Sequence, residues 1–252
     1  MGVSPPRSRK SLIIALGVAA AVIVPAGVLV QMSVLGGTEG PKRTAILPPP
    51  PPECEYGRQR TALTAYEDWP RTLLDTTFRL PRTYEPPDLV PVTSAGVGTE
   101  DMKVRAFVLD DLKALVDAAD AAGNPVDVTW GYRSFQTQRW VFDYWTEQKG
   151  KAALKTAARP GHSEHQLGTG LDFKTKGALN VDVGWKDEPA GRWMREHAWE
   201  YGFVLSYPEG KETVTCYAHE PWHYRYFGRD VAAKIHDSGL TPRQYLWRQA
   251  AA

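Results

Sequence analysis

The spacing of apolar residues divides the chain into helical and extended segments. In FVLDDLKALVDAADAAGNP, apolar side chains recur every three or four residues, acidic residues come early, and Gly123 follows the last turn. This pattern predicts an amphipathic helix with a C-terminal glycine stop. By contrast, VDVTWGY and TGLDFKT alternate apolar with other residues. Such alternation is typical of strands that expose one face.

Further segments extend this mixture of elements. Helices are predicted for SFQTQRWVFDYWTEQ (with Ser134 as its N-cap), KAALKTAA, GRWMREHAWEYG, RDVAAKIHDSG and TPRQYLW. Strands are predicted for three successive runs, FVLSYP, ETVTCYA and WHYRYF. Because helices come mainly first and strands cluster late, the pattern favours an α+β fold. In that fold, helices would flank a small antiparallel sheet.

The N-terminal residues follow a different pattern. Residues 1–10 are basic, and residues 11–35 form an uncharged, mostly apolar run. A bilayer is crossed by about 20 apolar residues, so this run is long enough. The preceding positive charge predicts a cytoplasmic tail at 1–10 and a single-pass anchor at 11–35. A cleaved signal peptide, which would yield a secreted protein, is the competing interpretation, although no clean A-x-A site follows the run.

The region after the apolar run predicts a spaced, extracytoplasmic domain. Residues 36–55 are rich in Gly and Pro and would form a linker that holds a domain at 56–248 away from the membrane. The net charge is +1. Nucleic acid is therefore not an expected partner, because nucleic-acid binding needs a basic surface.

The two cysteines, Cys54 and Cys216, lie at the end of the linker and shortly before the stretch HEPWH. Outside the cytoplasm, an even number of cysteines predicts a disulfide. A bond between them would join the start of the domain to the segment before HEPWH. Two free buried thiols, or a zinc-ligating Cys216, are the alternatives.

The stretch HEPWH, residues 219–223, matches H-E-x-x-H, which on a helix binds zinc in one class of proteases. Pro221 argues against a long helix, because proline inside a helix costs about 3 kcal/mol. The extended form of the motif also lacks its third histidine, since Arg229 stands at that position. A protease of that class, acting on proteins, is therefore disfavoured. The stretch is interpreted as E-x-x-H at the start of a strand, with His219 beside the metal.

Other metal ligands are available upstream. His165 lies in a Gly-rich loop, and Asp172 follows early in a predicted strand. Hydrolytic zinc sites use three His, Asp or Glu ligands and keep one position for water, and His223 would supply the third ligand. Glu220 would then lie in a short turn beside the metal, where its carboxylate is placed to act as general base.

Four blocks resemble a known family in sequence and in order: GYRSFQTQ, RPGHSEHQLGTGLDF, YGFVLSYPEGKE and EPWHYRYFG. Over about Val126 to Gly228, the chain resembles the VanY-type zinc D-alanyl-D-alanine carboxypeptidases of bacterial cell walls. The resemblance implies a compact α+β fold with a small antiparallel sheet, shared with lysostaphin-like and hedgehog-like zinc domains. It also implies that His165, Asp172 and His223 hold Zn²⁺.

Further residues acquire roles from the same resemblance. It implies that Glu220 is the catalytic base and that Arg133 faces the substrate and the developing oxyanion. Gln138 and Ser163 match positions that hold the substrate. Trp222 is either a wall of the substrate pocket or part of the core.

Two positions depart from the family pattern. Gly170 stands where the family often has Ala, and Cys216 stands where it often has Gly. The first change is mild. The second supports a disulfide particular to this chain and leaves the chemistry untouched.

The implied function is zinc-dependent removal of terminal D-alanine from peptidoglycan stem peptides. Cleavage of the D,D type is favoured, and the L,D type stays open. An endopeptidase or D,D-dipeptidase of the same fold, or a non-catalytic wall-binding module, are the alternatives. Retention of Glu220 and Arg133 disfavours the last. The expected location is the bacterial cell membrane, with the catalytic domain outside.

Overall fold

The computed structural model describes residues 50–250. The strands are β1 (Gln59–Arg60), β2 (Phe78–Arg79), β3 (Leu89–Pro91), β4 (Lys103–Arg105), β5 (Val126–Trp130), β6 (Gly170–Thr175), β7 (Phe203–Leu205) and β8 (His223–Tyr226). The helices are α1 (Leu109–Ala121), α2 (Phe135–Lys149), α3 (Ala153–Thr156), α4 (Pro189–His197), α5 (Glu212–Thr215), α6 (Arg229–Ser238) and α7 (Pro242–Ala250).

A four-stranded sheet lies at the centre, in the order β5-β6-β8-β7. Each neighbouring pair in it is antiparallel. Asp172 of β6 is the register partner of Trp130 on one side and of His223 on the other. The predicted α+β class with a small antiparallel sheet is thus confirmed, and the pairing places two predicted ligands opposite each other.

The apolar face of α1 packs onto this sheet. Leu112, Leu115, Val116 and Ala119 are buried in one core cluster with Val126, Val128, Leu171 and Phe173 of the strands. Burying a large aliphatic side chain contributes about 1.5–3 kcal/mol, so this face fixes the helix against β5.

Local signals set the ends of the helices as predicted. The Ser134 hydroxyl accepts a hydrogen bond from the Thr137 N–H (3.1 Å) and caps α2. A short 3-10 turn continues α4 and ends at Gly202, where φ is +88°. A Cβ there would lie 2.7 Å from the Tyr226 ring, so backbone conformation and space both require glycine.

One predicted strand is wrong. FVLSYP and WHYRYF contain β7 and β8, but ETVTCYA contains the short helix α5. The N–H groups of Thr215 and Cys216 donate to the carbonyls of Lys211 (2.8 Å) and Glu212 (3.0 Å), and Cys216 has a φ of 73°. These bonds of a tight turn outweigh the strand preference of Thr and Val, which depends strongly on context.

The basic tail at 1–10, the anchor at 11–35 and the linker up to residue 49 lie outside the described residues. Between residues 50 and 250, no helix is both long and apolar enough to cross a membrane. The boundaries of the tail, the anchor and the linker stay predictions.

Candidate metal centre and active site

The three predicted ligands converge beside the central sheet. His165 lies in a 3-10 turn, Glu164–Leu167, that shortly precedes β6. Asp172 lies within β6, and His223 begins β8. All three residues are buried, and one ligand atom from each lies within 4.8 Å of the others. The antiparallel pairing of β6 with β8 therefore presents the carboxylate and one imidazole side by side.

The ring of His165 is oriented for metal binding. Its Nδ1–H donates to the Gly131 carbonyl (2.8 Å). Its Nε2 lies 3.3 Å from Asp172 Oδ1, yet it is buried without a hydrogen-bond partner among the described residues. Burial, together with the charge of Arg133, lowers the pKa of His165 to about 4. At neutral pH the ring is therefore uncharged, as a metal ligand must be.

The ring of His223 lies between two carboxylates. Its Nδ1 is 2.9 Å from Asp172 Oδ1, and its Nε2 is 3.0 Å from Glu164 Oε2. Burial alone would lower the pKa of His223, but these two bonds outweigh it and raise the pKa to about 10. A cation bound at Nδ1 would replace the proton shared with Asp172. Two imidazole nitrogens and one carboxylate form a donor set that suits zinc.

Glu164 is a site residue that the sequence analysis did not identify. It is buried, and its carboxylate accepts hydrogen bonds from the Ser206 hydroxyl (2.6 Å) and Arg225 Nη1 (3.0 Å) as well as from His223. Burial would raise the pKa of Glu164, but the bonds to His223 and Arg225 lower it to about 2. A carboxylate that holds the second nitrogen of a ligating histidine fixes the ring orientation.

A signal for this network was present in the sequence. Arg225 interrupts the apolar strand WHYRYF, and it is fully buried in the structure. A buried arginine requires a buried carboxylate partner. Glu164, next to a predicted ligand, is that partner.

Glu220 lies in the loop between α5 and β8, where a tight turn positions it. Its N–H donates to the Tyr207 carbonyl (3.2 Å), and its carbonyl accepts from the His223 N–H (3.1 Å). Pro221 lies inside this turn, and the helix of a true H-E-x-x-H site is absent from it. Burial raises the pKa of Glu220 to about 7.

Arg133 follows β5, close to the ligands. Its backbone N–H donates to the His165 carbonyl (3.2 Å), and within the described part of the chain its buried Nε has no hydrogen-bond partner. Burial lowers the pKa of Arg133, while the charges of Asp172 and Glu220 act in the opposite direction. The guanidinium therefore lies within electrostatic reach of the metal ligands and of the predicted base.

All residues predicted for metal, chemistry and substrate line one cleft of about 760 Å³. Gln138 Nε2 donates to the Ala158 carbonyl (2.7 Å), and its buried Oε1 has no partner in the region from 50 to 250. The Ser163 hydroxyl accepts from the His165 N–H (3.4 Å). Trp222 packs against the core and also lines the cleft, so it is both part of the core and a wall of the pocket.

Two nearby histidines lie outside the ligand cluster. Nδ1 of His162 is 2.7 Å from the Asp75 carbonyl, and Nδ1 of His219 is 2.9 Å from the Tyr207 carbonyl. His219 lines the cleft but does not belong to the group that could hold a metal. The second histidine of the H-E-x-x-H match is therefore the one that joins the cluster.

The two cysteines are joined in the structure. Cys54 and Cys216 form a disulfide with a Cα–Cα distance of 5.1 Å across 162 positions of sequence. Cys216 is accordingly not part of the ligand cluster. The bond ties the start of the domain to the segment that leads to Glu220.

Known proteins resemble this chain over the region that contains the candidate site. The family profile described as VanY, D-alanyl-D-alanine carboxypeptidase, matches residues 101–229. A D-alanyl-D-alanine carboxypeptidase of Enterococcus faecalis is 31% identical over 209 residues, which cover 77% of this chain and 73% of the relative.

Two solved structures are similar in fold and in sequence. The LD-carboxypeptidase LdcB has a TM-score of 0.64 and 29% identity, with 77% of this chain and 98% of that chain covered. The D,D-pentapeptidase VanY, solved in complex with Zn(II), has a TM-score of 0.60 and 30% identity, with 71% and 99% covered. The protein is thus a carboxypeptidase of the VanY family of D-alanyl-D-alanine carboxypeptidases.

Proposed function

We propose that this protein is a zinc-dependent enzyme that removes the terminal D-alanine from peptidoglycan stem peptides, with D,D-cleavage favoured. The convergence of His165, Asp172 and His223 on the cleft that also contains Glu220 and Arg133 carries this proposal. The solved relatives include enzymes of both the D,D and the L,D type, so L,D-cleavage is the second candidate.

The three ligand residues would hold the metal through His165 Nε2, His223 Nδ1 and the carboxylate of Asp172. Zinc, when bound, supplies a Lewis acid that lowers the pKa of water from about 15.7 toward 7. The Nε2 of His165 supports this assignment, because it is buried without a hydrogen-bond partner between residues 50 and 250, and such an atom is costly unless something binds it.

Glu220 would transfer the proton, and Arg133 would stabilise the negative charge that develops during the reaction. Glu220 accepts a proton from the attacking water as the water oxygen bonds to the peptide carbonyl carbon. It returns that proton to the amide nitrogen as the C–N bond breaks, which leaves a new carboxylate and free D-alanine. The permanent charge of Arg133 stabilises the oxyanion that forms between these steps.

Gln138 and Ser163 would orient the substrate by complementary polar groups. The free atom of Gln138 is the acceptor Oε1, which suits a substrate N–H. Ser163 uses its oxygen to accept from the His165 N–H, so its own hydrogen stays available for the terminal carboxylate.

We also propose that residues 11–35 anchor the enzyme in the cell membrane with the catalytic domain outside. The uncharged run and the basic residues before it support this location. Fractionation of cells that express the full chain, with the N-terminal mass of the product, distinguishes the anchored form from a secreted, processed one.

The function is tested by incubating the purified full chain with muropeptides that end in D-Ala-D-Ala or in a single D-Ala, with and without chelator. We expect the mass of one alanine to be lost from the first substrate, and chelation to abolish the loss. Loss from the second substrate alone would indicate L,D-cleavage. Release of the dipeptide, or cleavage of cross-links, would indicate the other peptidase types, and binding without cleavage would indicate a wall-binding module.

The Glu220→Gln variant sharpens the same assay. We expect its metal content to equal that of the wild type, because Glu220 is not a ligand. Its kcat should fall by about 10²- to 10⁴-fold, the usual contribution of a general base. A variant that keeps most of its activity would refute the assignment of the base.

A further inference from the structure

Exposed apolar side chains concentrate around the mouth of the catalytic cleft. Most of the large apolar residues that are exposed within 50–250 line this cleft, and the remaining two, Tyr66 and Phe107, do not. The cleft-lining set is Trp130, Trp140, Tyr144, Leu179 and Val183. We call these five residues the apolar rim. Apolar surface gathered at one opening is typical of a ligand-binding groove.

Within the apolar rim, Trp140 and Tyr144 form a stacked, exposed aromatic pair on α2, which we call the platform. Their ring centroids are 6.0 Å apart and their planes differ by 20°. Trp140 is 63% exposed, and Tyr144 is 46% exposed. Two adjacent, nearly parallel rings that face solvent present a wide apolar surface, and both also carry a polar group at the edge.

The platform follows Gln138, a residue predicted to hold the substrate, along α2. Gln138, near the start of α2, lines the cleft together with the ligands. Tyr144 follows it by six positions, which corresponds to about 9 Å along a helix. A stem of five residues reaches at most about 17 Å when extended. The group attached to the far end of the stem is therefore within reach of the platform.

We propose that the apolar rim, centred on Trp140 and Tyr144, binds the amino sugar that carries the stem peptide. The enzyme would then prefer sugar-linked stem peptides to free peptides of the same sequence. This inference rests on the proposed function, and it concerns the recognition of the substrate rather than the chemistry.

The chemistry of the sugar matches the surface. A pyranose ring has a flat face of C–H groups and a polar edge, so it can lie on an aromatic ring while its hydroxyls stay hydrated. Leu179 and Val183 form an apolar wall of the same cleft, and Asn180 between them offers an amide to an N-acetyl group. A cleft of about 760 Å³ falls within the ~300–1,000 Å³ range of ligand pockets.

A lipid bilayer is the less suitable occupant of the same residues. The rim surrounds the mouth of a cleft that continues to the metal ligands. A bilayer bound to the rim would leave that cleft unfilled, because interfacial membrane binding uses one continuous apolar face. The observed shape suits a chain-like substrate that enters toward the ligands.

The test compares a muramyl pentapeptide with the free pentapeptide, using the zinc-loaded full chain. We expect wild-type kcat/KM to be about tenfold higher for the muramyl substrate, as stacking of this kind contributes roughly one power of ten. Trp140→Ala/Tyr144→Ala should remove this preference by raising KM for the muramyl substrate alone. Trp140→Phe/Tyr144→Phe should largely restore it. Tyr66→Ala, an exposed aromatic outside the cleft, is the matched control and should keep the preference.

Tryptophan fluorescence titration of the Glu220→Gln variant, with and without the rim substitutions, provides the same ratio with little turnover. Equal affinity of Glu220→Gln for both substrates would overturn the inference while the proposed function stands. A preference that survives in the double alanine variant would overturn it too, as would rim-dependent binding to anionic phospholipid vesicles with no preference for the sugar. Cleavage of neither substrate would count against the proposed function, and the binding ratio would still decide the inference.

Discussion

Two regions of the cleft are held in different ways. The metal-ligand floor, formed by the proposed ligands His165, Asp172 and His223, lies on paired strands and the turn before them, next to a buried network of charges. The catalytic loop, residues 216–222, is held by a few long-range links. They include the Cys54–Cys216 disulfide, the bond from the Ala218 N–H to the Lys155 carbonyl (2.8 Å), the bonds to the Tyr207 carbonyl, and the bond from the Phe173 N–H of β6 to the Trp222 carbonyl (2.9 Å).

This difference implies that metal affinity and the position of the base depend on separate supports. The ligands of the floor are fixed before any metal arrives, because strand pairing and Glu164 set their geometry. The catalytic loop places Glu220 mainly through contacts to residues that are not ligands, and the N–H groups of Phe173 and His223 connect the loop to the floor by backbone bonds. Changes in the floor should therefore alter metal binding, whereas changes in the loop should alter turnover or stability with the metal retained.

The largest expected effect comes from a pair of histidine variants. His165→Ala removes a proposed ligand. Metal affinity should therefore fall by more than about 100-fold, because loss of a residue that merely orients a ligand already costs about 10- to 100-fold. His219→Ala removes only a loop contact to Tyr207, so it should retain the metal and lose a few-fold in kcat. Metal content by atomic emission and affinity by competition with a chelating dye give the comparison. Loss of metal from His219→Ala would mean that floor and loop are not separate.

A smaller effect is expected within the floor from Glu164→Gln. The substitution keeps the shape but removes the charge that faces His223 and the fully buried Arg225. Metal affinity should fall by about 10- to 100-fold. Unfolding of the metal-free protein should also become easier, by up to about 3–5 kcal/mol, because a buried charge loses its partner.

Ser206→Ala serves as the matched control for Glu164→Gln. It removes one hydrogen bond to the same carboxylate but leaves its charge. Its metal affinity should stay within about threefold of the wild type, because this hydrogen bond, which contributes about 1.5–3 kcal/mol, is lost from the metal-free and the metal-bound protein alike and so largely cancels in the binding equilibrium. If Glu164→Gln binds metal as tightly as Ser206→Ala does, the carboxylate does not position His223.

The long elements of the fold were predictable because their patterns repeat over several turns. The spacing in α1 and the cap at Ser134 each follow from local residues, and the structure has them as predicted. The pairs β1–β2 and β3–β4 were not predicted, since strands of two or three residues have no period to detect. In α5, strand-forming residues adopt a helical turn, because hydrogen bonds to Lys211 and Glu212 decide its conformation.

The convergence of the proposed ligands was predictable from the order of the sequence blocks, and their roles stay predictions. His165, Asp172 and His223 stand in recognisable blocks, and strand pairing brings the last two together. The partnership of Glu164 with Arg225 could not be read in the same way. Both faces of β8 are buried, so the partner of Arg225 depends on which turn packs beside that strand, and Glu164 lies 61 positions away in the sequence.

The smallest expected effect on metal binding tests the catalytic loop through its disulfide. Cys216 is the only residue other than glycine, among those described, with a positive φ. Replacing it with serine removes the bond but keeps the unfavourable backbone conformation, whereas glycine removes both. Comparing Cys54→Ser/Cys216→Ser with Cys54→Ser/Cys216→Gly therefore separates the bond from the backbone.

We expect the serine pair to lose about 2–4 kcal/mol of unfolding free energy, the usual contribution of a disulfide. The glycine pair should recover about 1 kcal/mol of that loss. Metal affinity should be unchanged in both, because the floor does not contain the bond, and kcat should fall only a few-fold, since the bonds to the Tyr207 carbonyl remain. Chemical unfolding measures the free energy of unfolding, and dye competition measures metal affinity on the same samples. If metal affinity falls when the disulfide is removed, the loop supports the floor, and metal affinity and the position of Glu220 do not depend on separate contacts.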